Sequence, residues 1–258
     1  MDIWADLHTH TIHSHGSGTV EDNVRAAREM GLEAIAITDH GPASFGHLGM
    51  TSLAELEVIR GEVRRCSEIF PGMKILTGIE ANIISSAGEL DLPFDMQKKL
   101  DLVLAGFHTL ITPASFAEGF SFATRSLAAR LFSGARRRAR CENTKTIVEA
   151  VYSNTIDCIT HPGLHIDIDT GELARACANT DTFLEINNSH ETDAEFINAA
   201  AAQGADFILN SDAHDPQMVG AIKNGLASLG RSAIGPERVV NIKPRREGGK
   251  WTKIASLL

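Results

Sequence analysis

The sequence predicts an α/β fold in which seven βα units build a parallel sheet covered by helices. Three observations carry that expectation. Short apolar, β-branched runs recur seven times along the 258 residues. Helical patterns lie between most of them. Polar side chains of the kind that bind metals or move protons follow the end of every run. Near-continuous apolar runs suit strands buried on both faces, and alternating strand and helix suits parallel crossovers. Right-handed crossovers either close such units into a barrel or leave a doubly wound open sheet, and the pattern alone fits both.

The strand candidates are 3–7 (IWADL), 34–38 (AIAIT), 74–79 (KILTGI), 102–107 (LVLAGF), 156–160 (IDCIT), 182–186 (TFLEI) and 206–210 (DFILN). After the first, residues 19–31 read as a helix capped by Thr19 and ended by Gly31. After the second, residues 52–70 open with Ser52-x-x-Glu55, the spacing of a capping box. Further helices are expected at 143–153, 172–178, 192–204 and 215–230. Three stretches break the rhythm. Residues 83–95 read as a hairpin, 111–141 as a long insertion containing the basic run "RRRAR", and 244–258 as a Pro-, Arg- and Gly-rich tail. No linker or repeat divides the chain, so 1–258 reads as one domain.

Composition narrows the function classes. Lys and Arg total 24 against 33 Asp and Glu, a net charge of −9. Such a balance argues against general nucleic-acid or membrane partners, though a local basic pocket remains compatible with it. One Tyr and two Trp offer little platform for stacking bases. The four cysteines, Cys66, Cys141, Cys158 and Cys177, form no CxxC pair and read as reduced thiols of a cytoplasmic protein. The start "MDIWADLH" lacks the basic and apolar regions of a signal peptide, and no apolar stretch is long enough to span a bilayer.

The residues after the strands are the informative ones. His8, His10 and His15 follow the first, with His13 among them; Asp39 and His40 follow the second and Glu80 the third. His108, His161, the run Asn187-Asn188-Ser189-His190, and Asp212 with His214 follow the remaining four. In a parallel barrel all these strand ends share one face, where active sites form. Imidazoles and carboxylates together suit Zn²⁺, Mn²⁺ or Fe²⁺. The set exceeds what one ion takes, and Glu80 is placed to bridge two. Metal pairs about 3.5–4 Å apart serve phosphoryl chemistry, in which a metal-bound hydroxide attacks phosphorus. Asp212 is then a candidate proton acceptor, and His13, His47 and Asp39 are candidate acids. Asp39 has a second candidate role, orienting a ligand histidine. His165 and His190 read as ordinary surface histidines.

The ordered motifs "DLHTHT", "AITDHG", "GIEAN", "GFH", "THPG" and "SDAH" resemble the PHP (polymerase and histidinol phosphatase) family over roughly residues 3–245. "EINNS" (185–189) and "NIKPRR" (241–246) resemble its small bacterial stand-alone phosphatases. That resemblance implies a distorted (β/α)7 TIM-like barrel with a trinuclear site, commonly zinc, at the carboxyl ends of the strands. It implies one ion on His8, His10, Glu80 and Asp212, a second on Glu80, His108 and His161, and a third on His15, His40 and His214. The insertion 111–141 is longer than that subgroup leads one to expect. Its part "SFATRSLAARLFSGARRRARC" (121–141) reads as one amphipathic helix that is either a solvated or oligomer-forming face or a lid. As a lid it would bring Arg136, Arg137, Arg138 or Arg140 to a substrate phosphate. The expected activity is hydrolysis of a small-molecule phosphomonoester. The competing readings are a 3′–5′ exonuclease or phosphodiesterase, an amidohydrolase-type enzyme, and a non-catalytic zinc-binding regulatory domain.

Overall fold

The computed structural model describes residues 1–120, 122 and 132–243. Seven parallel strands stand in chain order: β1 (Ala5–Asp6), β2 (Ala34–Ile37), β3 (Lys74–Asn82), β4 (Leu102–Gly106), β5 (Cys158–Ile159), β6 (Phe183–Asn187) and β7 (Phe207–Asn210). Every neighbour pair is parallel. Sequential order without reversal excludes the doubly wound alternative. β1 and β7 approach each other, and a parallel bridge between Thr9 and Ala213 joins their carboxyl ends. Lower down, Asn241 fills the seam. Its amide donates to Ala5 O at 2.8 Å and Leu209 O at 2.6 Å, and its Oδ1 accepts from Leu209 N at 2.9 Å. Asn210 Oδ1 accepts from Leu7 N at 3.0 Å. The result is a nearly closed (β/α)7 barrel.

Strand alternation sorts side chains into two layers. One face of the strands contributes Ala34, Ala36, Leu76, Leu102, Leu104, Phe183 and Ile208 to a compact cluster inside the barrel. The opposite face contributes Ile35, Ile37, Ile75, Val103, Leu184, Ile186 and Leu209, which pack beneath the helices. Two residues further along the inner face stand the polar groups. The series Leu76–Gly78–Glu80, Leu102–Leu104–Gly106–His108, Phe183–Glu185 and Ile208–Asn210–Asp212 each change from apolar to polar at the carboxyl end.

Helices among the described residues include α1 (Val20–Glu29), α2 (Glu55–Ile69), α3 (Phe94–Gln97), α4 (Ser133–Ser153), α5 (Thr170–Thr180), α6 (Ala194–Ala202) and α7 (Lys223–Arg231). Thr19 caps α1 as expected and completes a capping box with Asp22. At α2 the expected box is not formed. The Glu55 carboxylate accepts from Thr51 N and Thr51 Oγ1 instead, and Ala54 precedes the helix without a side-chain cap. Ile83 bridges Leu90 in antiparallel sense, as the expected hairpin requires. The expected helix 215–230 is broken into a 3-10 turn, Pro216–Met218, and α7. Gly220, at φ 75°, lies between them and donates its N–H to the buried Asp6 carboxylate at 2.8 Å. The basic run also moves. Arg136–Arg140 belong to α4, continuous with 143–153, rather than to a separate insertion helix. The rest of that expected helix lies largely outside the described residues, as does the tail 244–258.

Candidate metal centre

Glu80 sits at the centre of the carboxyl-end rim and is fully buried. Its Oε2 lies 2.7 Å from His40 Nδ1 and 3.3 Å from His8 Nε2; its Oε1 lies 2.9 Å from His161 Nε2 and 3.3 Å from His108 Nε2. Asp212 Oδ1 lies 3.2 Å from His10 Nε2 and 3.6 Å from His8 Nε2. Around them the imidazoles stack. His10 and His214 have ring centres 4.2 Å apart, His15 and His214 4.2 Å, and His10 and His40 4.4 Å. All nine residues expected as ligands therefore meet at one place, from all seven strand ends but the sixth.

The sixth strand supplies Glu185, which sequence reasoning passes over. It is buried and its Oε1 lies 2.7 Å from His8 Nδ1. It also accepts from His161 N at 2.8 Å, Asn187 Nδ2 at 2.8 Å and Asn210 Nδ2 at 2.9 Å. Asn82 does similar work for His108, with Oδ1 and Nδ1 2.8 Å apart. Thr160 Oγ1 donates to Glu80 Oε1 at 2.7 Å. The available signal was a carboxylate in the middle of the apolar run "TFLEI", on the inward face. Gly106 makes room: a Cβ there would lie 2.4 Å from His108 Cε1 and 2.9 Å from Thr160 Oγ1. His161 and Asp212 both have left-handed backbone, at φ 27° and 54°, costly for residues with a Cβ and typical of functional sites.

The donor set fits divalent cations. Three groups have ligand atoms within 4.8 Å of one another: His8, His10 and Asp212; His40, Glu80 and His108; His10, His40 and His214. His8 Nε2 faces His10 Nε2 at 3.0 Å, and His108 Nε2 faces His161 Nε2 at 3.3 Å. Buried His10 Nδ1, His40 Nδ1, Glu80 Oε2 and His214 Nε2 make no hydrogen bond within the protein. His40 Nδ1 is close to Glu80 but badly angled for a hydrogen bond, as two ligands of a shared ion are.

Electrostatics follow from this crowding. Burial opposes ionisation of Glu80, yet His40, His8 and His108 outweigh it and hold the carboxyl well below its ordinary range. Burial likewise opposes ionisation of Asp212, and His8 and His10 hold it well below. Burial lowers His40 to about 4, and burial with the neighbouring His40 keeps His10 well below its usual value. His8 goes the other way, because Glu185, Asp212 and Glu80 together exceed the cost of burial.

The candidate acids and the arginines are placed elsewhere. His13 turns to α2, with Nδ1 3.4 Å from Glu55 Oε2 and Nε2 3.3 Å from Glu62 Oε2. Those two carboxylates draw the ring out of the rim. His47 is exposed on the loop 41–50. Asp39 touches no ligand imidazole in the hydrogen-bond network described; it accepts from Thr11 N, Thr11 Oγ1 and Ser14 Oγ at 2.6–2.7 Å and so shapes the loop between His10 and His15. Arg136 pairs with Asp167 at 2.6 Å and Arg140 with Asp169 at 3.0 Å. Arg138 lies 3.8 Å from Glu142 on its own helix, and Arg137 is exposed. These contacts tie α4 to the loop before α5. His190 Nε2 lies 3.8 Å from Asp212 Oδ2, closer to the centre than a surface reading implies.

A cavity of about 150 Å³ opens beside the cluster. His15, His40, His108 and His161 line it together with Leu48, Phe107, Leu110 and Leu164.

A parallel barrel with histidines and carboxylates converging at its carboxyl rim defines a barrel protein with a metal-binding centre. The family model for the PHP domain matches residues 6–205. A probable phosphatase of Shewanella sediminis is 32% identical over 255 residues, covering 95% of this chain and 92% of its own. A probable phosphatase of Acetivibrio thermocellus is 32% identical over 224 residues, covering 83% and 80%. The chain belongs to the PHP family. In fold it is similar to the histidinol phosphate phosphatase of Lactococcus lactis, solved with Zn, L-histidinol and phosphate. The TM-score is 0.57 at 15% identity, over 90% of this chain and 94% of that one.

Proposed function

We propose that the protein is a metal-dependent phosphoesterase that hydrolyses a small-molecule phosphomonoester. The observation that carries this reading is Glu80 lying within 3.3 Å of four imidazoles from four different strand ends. The assignment of ions follows the clusters. His8, His10, Glu80 and Asp212 would hold one; Glu80, His108 and His161 a second, with His40 close by; His15, His40 and His214 a third, with His10 at its edge. Zinc suits this donor set, and Mn²⁺ and Fe²⁺ suit it as well.

Divalent cations there supply Lewis-acid stabilisation of phosphoryl charge and acidify water at neutral pH. The chain supplies the rest. Glu80 and Asp212 stay ionised and so offer fixed negative charge to the ions. Glu185 fixes the ring of His8 and the backbone of His161. Asn187 Nδ2 holds Asp212 Oδ2 at 3.0 Å while Oδ1 faces His8 and His10, which supports Asp212 as the candidate proton acceptor. The net charge of −9 and the few aromatic side chains support a small-molecule ester over nucleic acid. Four cysteines without a disulfide support a reducing, cytoplasmic setting. Among the described residues no helix is long and apolar enough to cross a membrane.

The test is to load the purified chain with Zn²⁺, Mn²⁺ or Fe²⁺ and offer p-nitrophenyl phosphate, bis-p-nitrophenyl phosphate and single-stranded DNA. Turnover of the monoester alone is expected. Cleavage of the diester or DNA instead moves the assignment to the nuclease class, and tight metal without turnover moves it to the regulatory class.

A further inference from the structure

Resting on the phosphomonoesterase reading, we infer that the cavity beside the donor cluster selects esters whose leaving group is small, uncharged and apolar. An aryl or arylmethyl group fits; a polyol does not. The first ground is the chemistry of the walls. The phosphoryl group is drawn to the imidazoles, so the leaving group meets the rest of the lining. That lining presents Leu48, Phe107, Leu110 and Leu164. Among the described residues, no lysine, arginine or carboxylate lines the cavity.

The second ground is that one hydroxyl of the wall is already engaged. Ser44 Oγ accepts from Asn82 Nδ2 at 3.0 Å. Thr109 and His165 are the remaining polar lining groups outside the donor cluster. A leaving group rich in hydroxyls would give up water and find few partners, which costs affinity. The third ground is size. About 150 Å³ is enough to take a single ring.

The wall is also held in place. Phe45 N donates to Leu110 O at 3.0 Å and Thr112 N to Ala43 O at 2.6 Å, tying the loop that carries Leu48 to the segment that carries Leu110. Phe107 meets Phe122 edge to face at 5.7 Å. Leu164 follows His161 in a turn closed by Leu164 N to His161 O at 3.0 Å, so the apolar wall and a ligand imidazole move together.

The experiment compares benzyl phosphate with glycerol 2-phosphate on the Zn²⁺-loaded chain. Both esters expel an alkoxide, so intrinsic reactivity is similar. The expected result is a kcat/KM at least about tenfold higher for benzyl phosphate. Calorimetry with benzylphosphonate and methylphosphonate gives a readout without turnover, and benzylphosphonate is expected to bind about tenfold or more tightly. The double variant Leu48→Asn with Leu164→Asn should bring both ratios toward one, with circular dichroism used to check that it folds. Equal kcat/KM for the two esters in the wild type, or equal phosphonate affinities, overturns the inference and leaves the phosphatase reading intact. Absence of turnover on every ester overturns the phosphatase reading, and the phosphonate ratio then still decides the character of the wall.

Discussion

Glu80 and Glu185 are both buried carboxylates on the inner face of the barrel, yet they act at different distances from the chemistry. Glu80 contacts His8, His40, His108 and His161 through both oxygens, so in the proposed arrangement its loss removes a ligand shared between ion sites. Glu80→Gln is expected to lower metal content by more than one ion per chain and turnover by about a hundredfold or more. Elemental analysis beside an activity assay reads both; full metal content with full turnover in that variant removes the proposed arrangement. Glu185 belongs to none of the three donor groups. It sets the His8 ring and the His161 backbone, so Glu185→Gln should weaken metal affinity by about 10–100-fold while the zinc-saturated variant regains most of its turnover. Chelator competition measures the first and saturation with Zn²⁺ the second. The difference in legibility between these two residues has a physical cause. A ligand just past a strand end stands out against a loop, whereas Glu185 is hidden inside a strand that is otherwise apolar. His13 shows the converse. Its position between His10 and His15 suggests a shared site, but two turns of α2 offer it Glu55 and Glu62, and sequence proximity says nothing of that competition.

At the scale of elements, periodicity and caps account for much of what forms, and the exceptions are places where a distant side chain intervenes. All seven strands and α1 fall where the alternation and the Thr19 cap place them. The helix expected over 215–230 breaks because Asp6, some two hundred residues away in sequence, needs the N–H of Gly220. No local pattern contains that requirement. The capping box of α1 gives a testable energy. Thr19→Ala removes the hydroxyl that accepts from Asp22 N and should cost about 1 kcal/mol, a fall in Tm of about 2–4 °C. The Thr19 hydroxyl and backbone N–H also hold Asp22 below its ordinary pKa. A depressed folded-state value means that the contribution is present above the unfolded value and disappears as pH falls through the folded one. Asp22→Asn should therefore be less stable than wild type near neutrality, with the gap closing on acidification below about pH 4. Parallel denaturant titrations at several pH values check this, and a gap independent of pH contradicts the assignment.

The whole molecule depends on closing seven units into a ring that eight units would fill more easily. The seam between β1 and β7 lacks a continuous ladder, and Asn241 substitutes for one by bonding Ala5 on one side and Leu209 on the other. Sequence marks "NIKPRR" only as a resemblance; that its first residue is a structural clasp emerges from the topology. The same closure brings His8 and His10 beside Asp212, because the Thr9–Ala213 bridge sits between them. An ion held by the histidines and carboxylates is therefore expected to draw β1 and β7 together. Ion binding to the folded state alone stabilises it by mass action, about 2.7 kcal/mol at a hundredfold excess over Kd. For a chain of this size that corresponds to a rise in Tm of about 5–10 °C, fully reversed by chelator and restored by Zn²⁺. Asn241→Ala should lower stability of the metal-free chain by about 1–3 kcal/mol, through the unpaired backbone groups it leaves at the seam. It should also weaken Zn²⁺ affinity, although Asn241 is not a ligand. Differential scanning calorimetry with and without Zn²⁺ separates these effects. If the variant loses stability but its zinc-dependent Tm shift equals that of the wild type, the seam and the rim are independent, and the clasp serves the fold alone.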